Sequence, residues 1–147
     1  MKPTRHKFTI LQQVMSIIPK HLVPKISRKY GIERRSRSFS PWSHVVSMVY
    51  AQLAHSLSLN DICDSLRNHK ASLNSIRGAT PPSRNNLSYA NRNRDADMAE
   101  DLFWETLNAL QSSSPKFGFE RNYVGIPRRF KRTINIVDST TIKLVAN

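Results

Sequence analysis

Cysteine is nearly absent from this sequence. Its 147 residues include one, Cys63, which excludes an internal disulfide and any zinc site built from several cysteines. Cys63 falls on the apolar side of a helix-like repeat, so we expect a small buried hydrophobe and not a nucleophile. The histidines show no ligand spacing either, because His44 and His55 stand about three helical turns apart, too far to share a metal ion.

Long apolar runs and phosphate-binding loops are also missing. No stretch approaches the roughly 20 apolar residues that a membrane span needs. The apolar stretch at residues 8–18 is interrupted by polar residues and lacks a small-residue cleavage site, so it is not a convincing signal peptide. There is no Gly-rich phosphate loop, nucleophile elbow or zinc-finger pattern. We therefore expect a cytoplasmic, nucleoid-associated protein.

Acidic residues are scarce. The sequence has 23 Lys and Arg against 10 Asp and Glu, a net charge of +13. The excess is uneven, because residues 1–40 hold 10 basic residues and 1 acidic residue. A field of this sign attracts polyanions, and nucleic acid fits best. Charge alone leaves open a merely soluble basic protein, such as a ribosomal component.

The apolar residues that are present recur mostly at helical spacing. The pattern predicts helices that begin near Phe8, Leu22, Ser40, Ser58, Ser83 and Asp95 or Asp97. Residues 69–80 are weakly patterned and are predicted to be a loop with at most one helical turn. In the two longest predicted helices, the residues expected to face the core are Trp42, Val45, Val49 and Leu53, and then Ala99, Leu102, Phe103, Thr106, Leu107 and Leu110.

The predicted helix after Ser83 is the strongest candidate for a binding surface. With Leu87 and Ala90 turned inward, its remaining positions are mostly Arg, Asn and Ser, side chains that suit base edges and phosphates. This pattern is typical of the recognition helix of a helix-turn-helix unit, and the alternative is a solvated polar face. The candidate DNA-binding residues here are Ser83, Arg84, Asn85, Ser88, Asn91, Arg92 and Arg94.

Two basic clusters are further candidates for phosphate contacts. The first is a loop with Arg34, Arg35 and Arg37, and the second is a run that precedes the last apolar segment. Such clusters usually make contacts that do not depend on sequence and weaken with salt. A solubilising surface explains either cluster equally well. The residues of the second cluster are Arg128, Arg129, Lys131 and Arg132.

One acidic residue lies in a strand-like run near the end of the sequence. Residues 134–142 are rich in β-branched side chains and carry Asp138 after three apolar positions. Metal-dependent nucleases use several carboxylates to hold two ions about 4 Å apart. A single carboxylate is weak support for such a site, because most strand-terminal Asp residues cap a turn.

Three segments together resemble bacterial insertion-sequence transposases of the DDE class, in the insertion-sequence-four family. They are Ser58-Leu59-Asn60-Asp61-Ile62, the stretch from Pro82 to Asp95 with its Ser-Arg, Leu and Ala-Asn-x-x-Arg-Asp positions, and Val137-Asp138-Ser139-Thr140-Thr141 with the residues that follow. The resemblance implies cut-and-paste transposition with Mg²⁺ at terminal inverted repeats of double-stranded DNA, and a dimer of the full-length enzyme. Asp138 matches the first acid of the catalytic triad and a metal ligand.

The resemblance also implies a domain organisation. We expect a mainly α chain, with a helical DNA-binding domain at residues 1–111 that contains a helix-turn-helix-like unit, and a basic linker at 112–133. Residues 134–147 then form the truncated first strands of a ribonuclease-H-like α/β catalytic domain. Because the second and third acids have no counterpart, we expect this chain to be inactive alone and to bind no metal.

Two other functions stay open at this point. A stand-alone DNA-binding regulator or repressor would use the same helices without catalysis. An RNA-binding protein fits less well, because RNA modules commonly stack bases on aromatic residues of a sheet, and aromatic residues make up 8% of this sequence.

Overall fold

A computed structural model describes residues 7–32, 39–56 and 58–114, and these ranges are mainly helical. They contain seven α-helices and no β-strand. The strand-like segment that carries Asp138 lies outside the described residues. The helices are α1 (Lys7–Ile17), α2 (Leu22–Lys29), α3 (Pro41–Ala54), α4 (Leu59–Asn68), α5 (Lys70–Asn74), α6 (Arg84–Asn93) and α7 (Asp97–Ser113).

Serine side chains begin three of the helices, as the sequence predicts. The hydroxyls of Ser40, Ser58 and Ser83 each accept a hydrogen bond from the backbone N–H three residues later. These bonds satisfy N–H groups that have no partner inside the helix. After α2 the chain turns at Gly31, whose φ of +66° lies in the left-handed region that favours glycine.

Helix α3 lies at the centre of the bundle and packs against α1, α2 and α4. The predicted core face of this helix is confirmed in part, because Trp42, Val45 and Val49 are partly buried and pack against the core. The most buried residues lie about one position later. Val46, Ser47 and Tyr50 are buried, whereas Leu53 is 36% exposed. Apolar residues lie on nearly every side of α3, so their spacing does not define one inner face. The buried face includes serines, and the hydroxyl of Ser47 donates to the Ser43 carbonyl at 2.7 Å.

The predicted core face of α7 is only partly buried. Leu102 is 9% exposed and Met98, outside the predicted set, is 5% exposed, but Phe103 is 59% exposed. The opposite edge of α7 packs on α2. As a result, the apolar stripe of α7 faces an open groove beside α3.

The segment between α4 and α6 is longer than the tight turn of a helix-turn-helix unit. It contains the short helix α5 and a loop at residues 75–83. This agrees with the prediction of a weakly patterned stretch with one helical turn. Two side chains of α3 hold the loop: Trp42 Nε1 donates to the Ile76 carbonyl at 2.9 Å, and Ser43 Oγ accepts from Thr80 N at 3.0 Å.

Within the described ranges, no helix has the length and apolar character needed to cross a membrane.

Candidate nucleic-acid interface

Helix α6 is anchored by one apolar side and by its N-cap. Leu87 is fully buried and Ala90 is 2% exposed, and the helix packs against α4. The Ser83 hydroxyl accepts a hydrogen bond from Asn86 N at 3.2 Å. Ser83 was predicted to bind DNA, and the structure gives its side chain a bond inside the helix.

Contacts with the start of α3 hold the C-terminal end of α6. The Arg94 guanidinium donates to the Phe39 carbonyl at 2.6 Å and lies 5.5 Å from the centre of the Phe39 ring. One turn earlier, the amide oxygen of Asn91 lies 2.7 Å from His44 Nε2, so the ring N–H donates to it. Helix α6 is therefore held to the rest of the fold by its buried side and by its C-terminal end. A rigid element of this kind orients side chains more accurately than a loop does.

The His44–Asn91 pair lies partly out of solvent. Burial lowers the pKa of the His44 ring, the hydrogen bond to Asn91 opposes this, and the charge of Arg94 lowers the pKa further. The neutral ring is therefore favoured. Because His44 engages the oxygen of the Asn91 amide, this exposed side chain keeps two N–H donors for an acceptor outside.

The remaining predicted residues of α6 lie on its outer side. Arg84, Asn85 and Arg92 are exposed, and Ser88 is half-buried. Tyr89, which the sequence reasoning did not include, is 64% exposed on the same side. The sequence could have indicated that Tyr89 faces outward, because it lies one turn after Asn85 and outside the apolar stripe of the helix. An exposed aromatic ring with a hydroxyl can contact both the sugar-phosphate backbone and the methyl group of thymine.

Charge is strongly segregated along the second half of the described chain. Residues 67–94 contain six Lys or Arg and no acid: Arg67, Lys70, Arg77, Arg84, Arg92 and Arg94. Residues 95–114 contain five acids and no Lys or Arg: Asp95, Asp97, Glu100, Asp101 and Glu105. The polar face of α6 therefore belongs to the acid-free segment, and α7 carries the opposite charge.

Two lysines of α2 pair with the acids of α7. Lys25 Nζ lies 2.8 Å from Glu105 Oε1, and Lys29 Nζ lies 2.6 Å from Asp101 Oδ2. Hydrogen bonds from Lys29 and Tyr30 lower the pKa of the Asp101 carboxyl. These lysines add to the net charge of the protein, but their charge is matched locally.

Several predicted site residues lie outside the described residues and stay predictions. They are the two basic clusters and the acidic residue of the strand-like segment: Arg34, Arg35, Arg37, Arg128, Arg129, Lys131, Arg132 and Asp138. Across the described part of the chain, no group of three His, Cys, Asp or Glu side chains is placed to hold a metal ion. Cys63 is buried on α4 as expected, and burial raises the pKa of its thiol.

One comparison with known proteins finds a family model that resembles part of this chain. Residues 6–76 match the model of a domain of unknown function, DUF4372. The match covers α1 to α5 and ends before α6, so it includes the helices that support the candidate interface and not the interface itself. No curated protein and no solved structure matches the chain.

Proposed function

We propose that this chain is the DNA-binding N-terminal part of a cut-and-paste DDE transposase of the insertion-sequence-four family, and that it binds transposon ends. The observation that carries the proposal is the outer face of α6, which is polar and basic, on a helix held by packing on α4 and by the bonds of Asn91 and Arg94. The family match at residues 6–76 supports it, because that family is commonly found in transposase-like proteins. The resemblance of the segments around Ser83 and Asp138 supplies the transposase class.

In this proposal α6 enters the major groove, which admits one α-helix. Arg84 and Arg92 lie about two helical turns apart on the exposed side. Their guanidinium groups suit phosphate oxygens or the O6 and N7 atoms of guanine. Asn91, whose amide N–H groups are not used in the bond to His44, donates to a purine N7 or a phosphate. Helix α4 supports α6 as the first helix of a helix-turn-helix unit supports the second, although with a longer connection.

The catalytic part of the proposal rests on the resemblance alone. Asp138 would supply one of the three acids that hold Mg²⁺. Carboxylate oxygens are suitable ligands for this ion, which when bound would polarise the phosphate and activate the attacking oxygen. End binding by α6 does not depend on Asp138, so the two parts can be tested separately.

The experiment measures binding of the full chain to two duplexes at two salt concentrations. One duplex carries the terminal inverted repeat that flanks the gene, and the other has the same composition in scrambled order. We expect Arg84→Ala and Asn91→Ala each to weaken binding to the repeat by about 1–3 kcal/mol, roughly 5- to 150-fold. Binding to the scrambled duplex should change much less.

Equal weakening on both duplexes would show that α6 contacts only phosphates, and the recognition role would be wrong. Circular dichroism of each variant shows whether helicity is preserved. Lys25→Ala is the matched control, because it removes one positive charge that is already paired with Glu105. A duplex RNA of the same sequence should bind more weakly than the DNA repeat, because the deep, narrow major groove of A-form RNA does not admit a helix.

A further inference from the structure

A large apolar groove lies between α3 and α7. Its volume is about 850 Å³, within the size range of ligand clefts. Phe103 and Met48, which border it, are 59% and 37% exposed. Water-exposed apolar surface of this extent is unusual in a soluble monomer and commonly marks an interaction site. The walls are formed by Val45, Met48 and Val49 of α3, and by Leu102, Thr106 and Leu107 of α7.

We propose that residues 117–126 of this same chain dock in the α3–α7 groove, running back along α7 in the opposite direction. This occupant is favoured by where the chain leaves α7. Leu110, in the last turns of α7, lines one end of the groove, and the helix ends at Ser113. Pro115 follows two residues later, and proline does not continue a helix. Helix α7 therefore ends close to one end of the groove.

The segment has the right length and composition. From Leu110 to Ala96, α7 spans about 21 Å along the groove. Ten extended residues cover about 33 Å, so the segment is more than long enough to follow this part of the groove. Residues 117–126 contain two phenylalanines, Tyr123, Val124 and Ile126. Burial of one such side chain contributes about 1.5–3 kcal/mol.

The charges of the segment and of the helix are of opposite sign. Residues 116–132 hold six Lys or Arg and one acid, whereas α7 holds four acids and no basic residue. Two of those acids, Asp101 and Glu105, already pair with lysines of α2. The exposed Asp97 and Glu100 therefore carry the complementarity.

A segment of the same chain also has an advantage over a separate partner. A short connection of a few residues keeps the occupant at an effective concentration in the millimolar range. The groove is then covered without any second molecule. The docking does not depend on DNA binding by α6.

Docking would also bring further basic residues toward the bound DNA, a consequence that rests on the proposed function. The far end of the groove is lined by Asn91 and Asp95, at the end of α6. A segment that follows the whole groove therefore leaves it beside the DNA-binding face. Its next residues are the basic run from Arg128 to Arg132. The groove would place this run where it adds phosphate contacts to those of α6.

Cross-linking of the full chain without DNA tests the docking. In a Cys63→Ala background, Met48→Cys is combined with Phe119→Cys and treated with a short bis-maleimide. We expect the yield of the intrachain cross-link to be at least tenfold higher than in a control variant. The control pairs Asn60→Cys with Phe119→Cys, because Asn60 is exposed on α4 and lies outside the groove. Peptide mass spectrometry separates cross-links within one chain from those between chains.

A yield equal to that of the control would overturn the proposal. A cross-link that forms between chains and rises with concentration would also overturn it, because a second copy would then cover the groove. Leu107→Cys in place of Met48→Cys provides a second groove position if the first variant loses its helicity. Loss of DNA binding in the α6 variants leaves these outcomes unchanged, so failure of the proposed function is distinguishable.

A second measurement uses the unlabelled protein. Replacing Phe117 and Phe119 by serine should uncover the groove, and a hydrophobic dye should then fluoresce several times more strongly than with the parent chain. The same replacements should speed tryptic cleavage at Lys116 and Arg121 about tenfold. An unchanged dye signal together with unchanged cleavage would contradict the docking.

Discussion

Individual arginines in this protein have different roles, although they look alike in the sequence. Arg77 donates to the carbonyls of Met15 and Ile18, at 3.1 and 2.7 Å, and its guanidinium lies 4.7 Å from the ring centre of Trp42. It thus places a positive charge at the C-terminal end of α1, where the helix dipole favours it. Arg94 makes a similar bond to Phe39. Two of the six basic residues in the acid-free segment therefore bind backbone carbonyls of the fold.

A prediction for a single residue concerns His44 and the pH dependence of stability. Burial lowers its pKa from the ordinary value of 6.5 in the folded chain. The unfolded chain then binds a proton at higher pH than the folded chain does. The free energy of unfolding must therefore fall as the pH is lowered from 6.5 through the folded pKa. Urea unfolding at pH 7.5 and 5.5 should show this loss, and His44→Gln should reduce it.

Gln is the suitable replacement at His44 because its amide N–H can still donate to Asn91 and does not titrate. The comparison is the pH-dependent change in stability of each protein, so a constant offset caused by the substitution cancels. If both proteins lose the same stability over this range, His44 is not the group responsible.

At the scale of elements, α6 depends on its cap and on very few buried residues. Among the ten residues of the helix, Leu87 and Ala90 are the buried ones. A helix of this length is marginal in water without tertiary contacts. The bond from Asn86 N to the Ser83 hydroxyl and the bonds of Asn91 and Arg94 therefore matter for keeping it in place.

Removing the Ser83 hydroxyl should weaken the fold measurably. Ser83→Ala leaves Asn86 N without its partner, and the loss of an N-cap costs about 0.5–2 kcal/mol. Denaturant unfolding should show a lower midpoint with an unchanged slope. Ser83→Asp restores an acceptor and should recover most of the loss. If the alanine and aspartate variants are equally stable, the cap does not support α6 in the way that its geometry indicates.

Elements also show where periodicity is informative and where it is not. The starts of α3, α4 and α6 were predictable because serine caps act locally. The inner face of α3 was predictable only approximately, because the helix is apolar on most sides and three neighbouring helices select the most buried residues. For α7 the apolar stripe was identified, but its burial depends on whatever covers the groove.

For the whole molecule, the position of a charge matters more than the total. The net charge of +13 includes Lys25 and Lys29, which pair with α7. The arginines on the outside of α6 belong to a segment without acids. Exposed ion pairs contribute little to stability, but they reduce the field that lysines of α2 present to DNA.

A comparison of two double variants tests this arrangement. The two double variants remove the same formal charge. One combines Arg84→Ala with Arg92→Ala, and the other combines Lys25→Ala with Lys29→Ala. We expect the first pair to lower the magnitude of the slope of log affinity against log salt by about 1.8, because each phosphate contact contributes about 0.9. The second pair should leave the slope nearly unchanged. Fluorescence anisotropy with one labelled duplex at several salt concentrations measures both slopes.

Equal slope changes for the two pairs would mean that total charge, and not the face of α6, controls attachment. The lysine pair is a strict control because its side chains are exposed and its substitution removes two ion pairs without emptying a buried site. The same protein samples can be checked for helicity before binding is measured.

Local chemistry determined much of this protein without any knowledge of its fold. Serine caps, a glycine after α2 and apolar spacing predicted where the helices begin and which side of α6 is outward, because these signals act within one or two turns. The tertiary structure alone decided which arginines bind backbone carbonyls of the fold and which residues of α3 are most buried. It also decided that α7 borders a groove. Those outcomes depend on residues far apart in sequence, such as Arg77 with Met15 and Asn91 with His44, and spacing along the chain carries no record of such contacts.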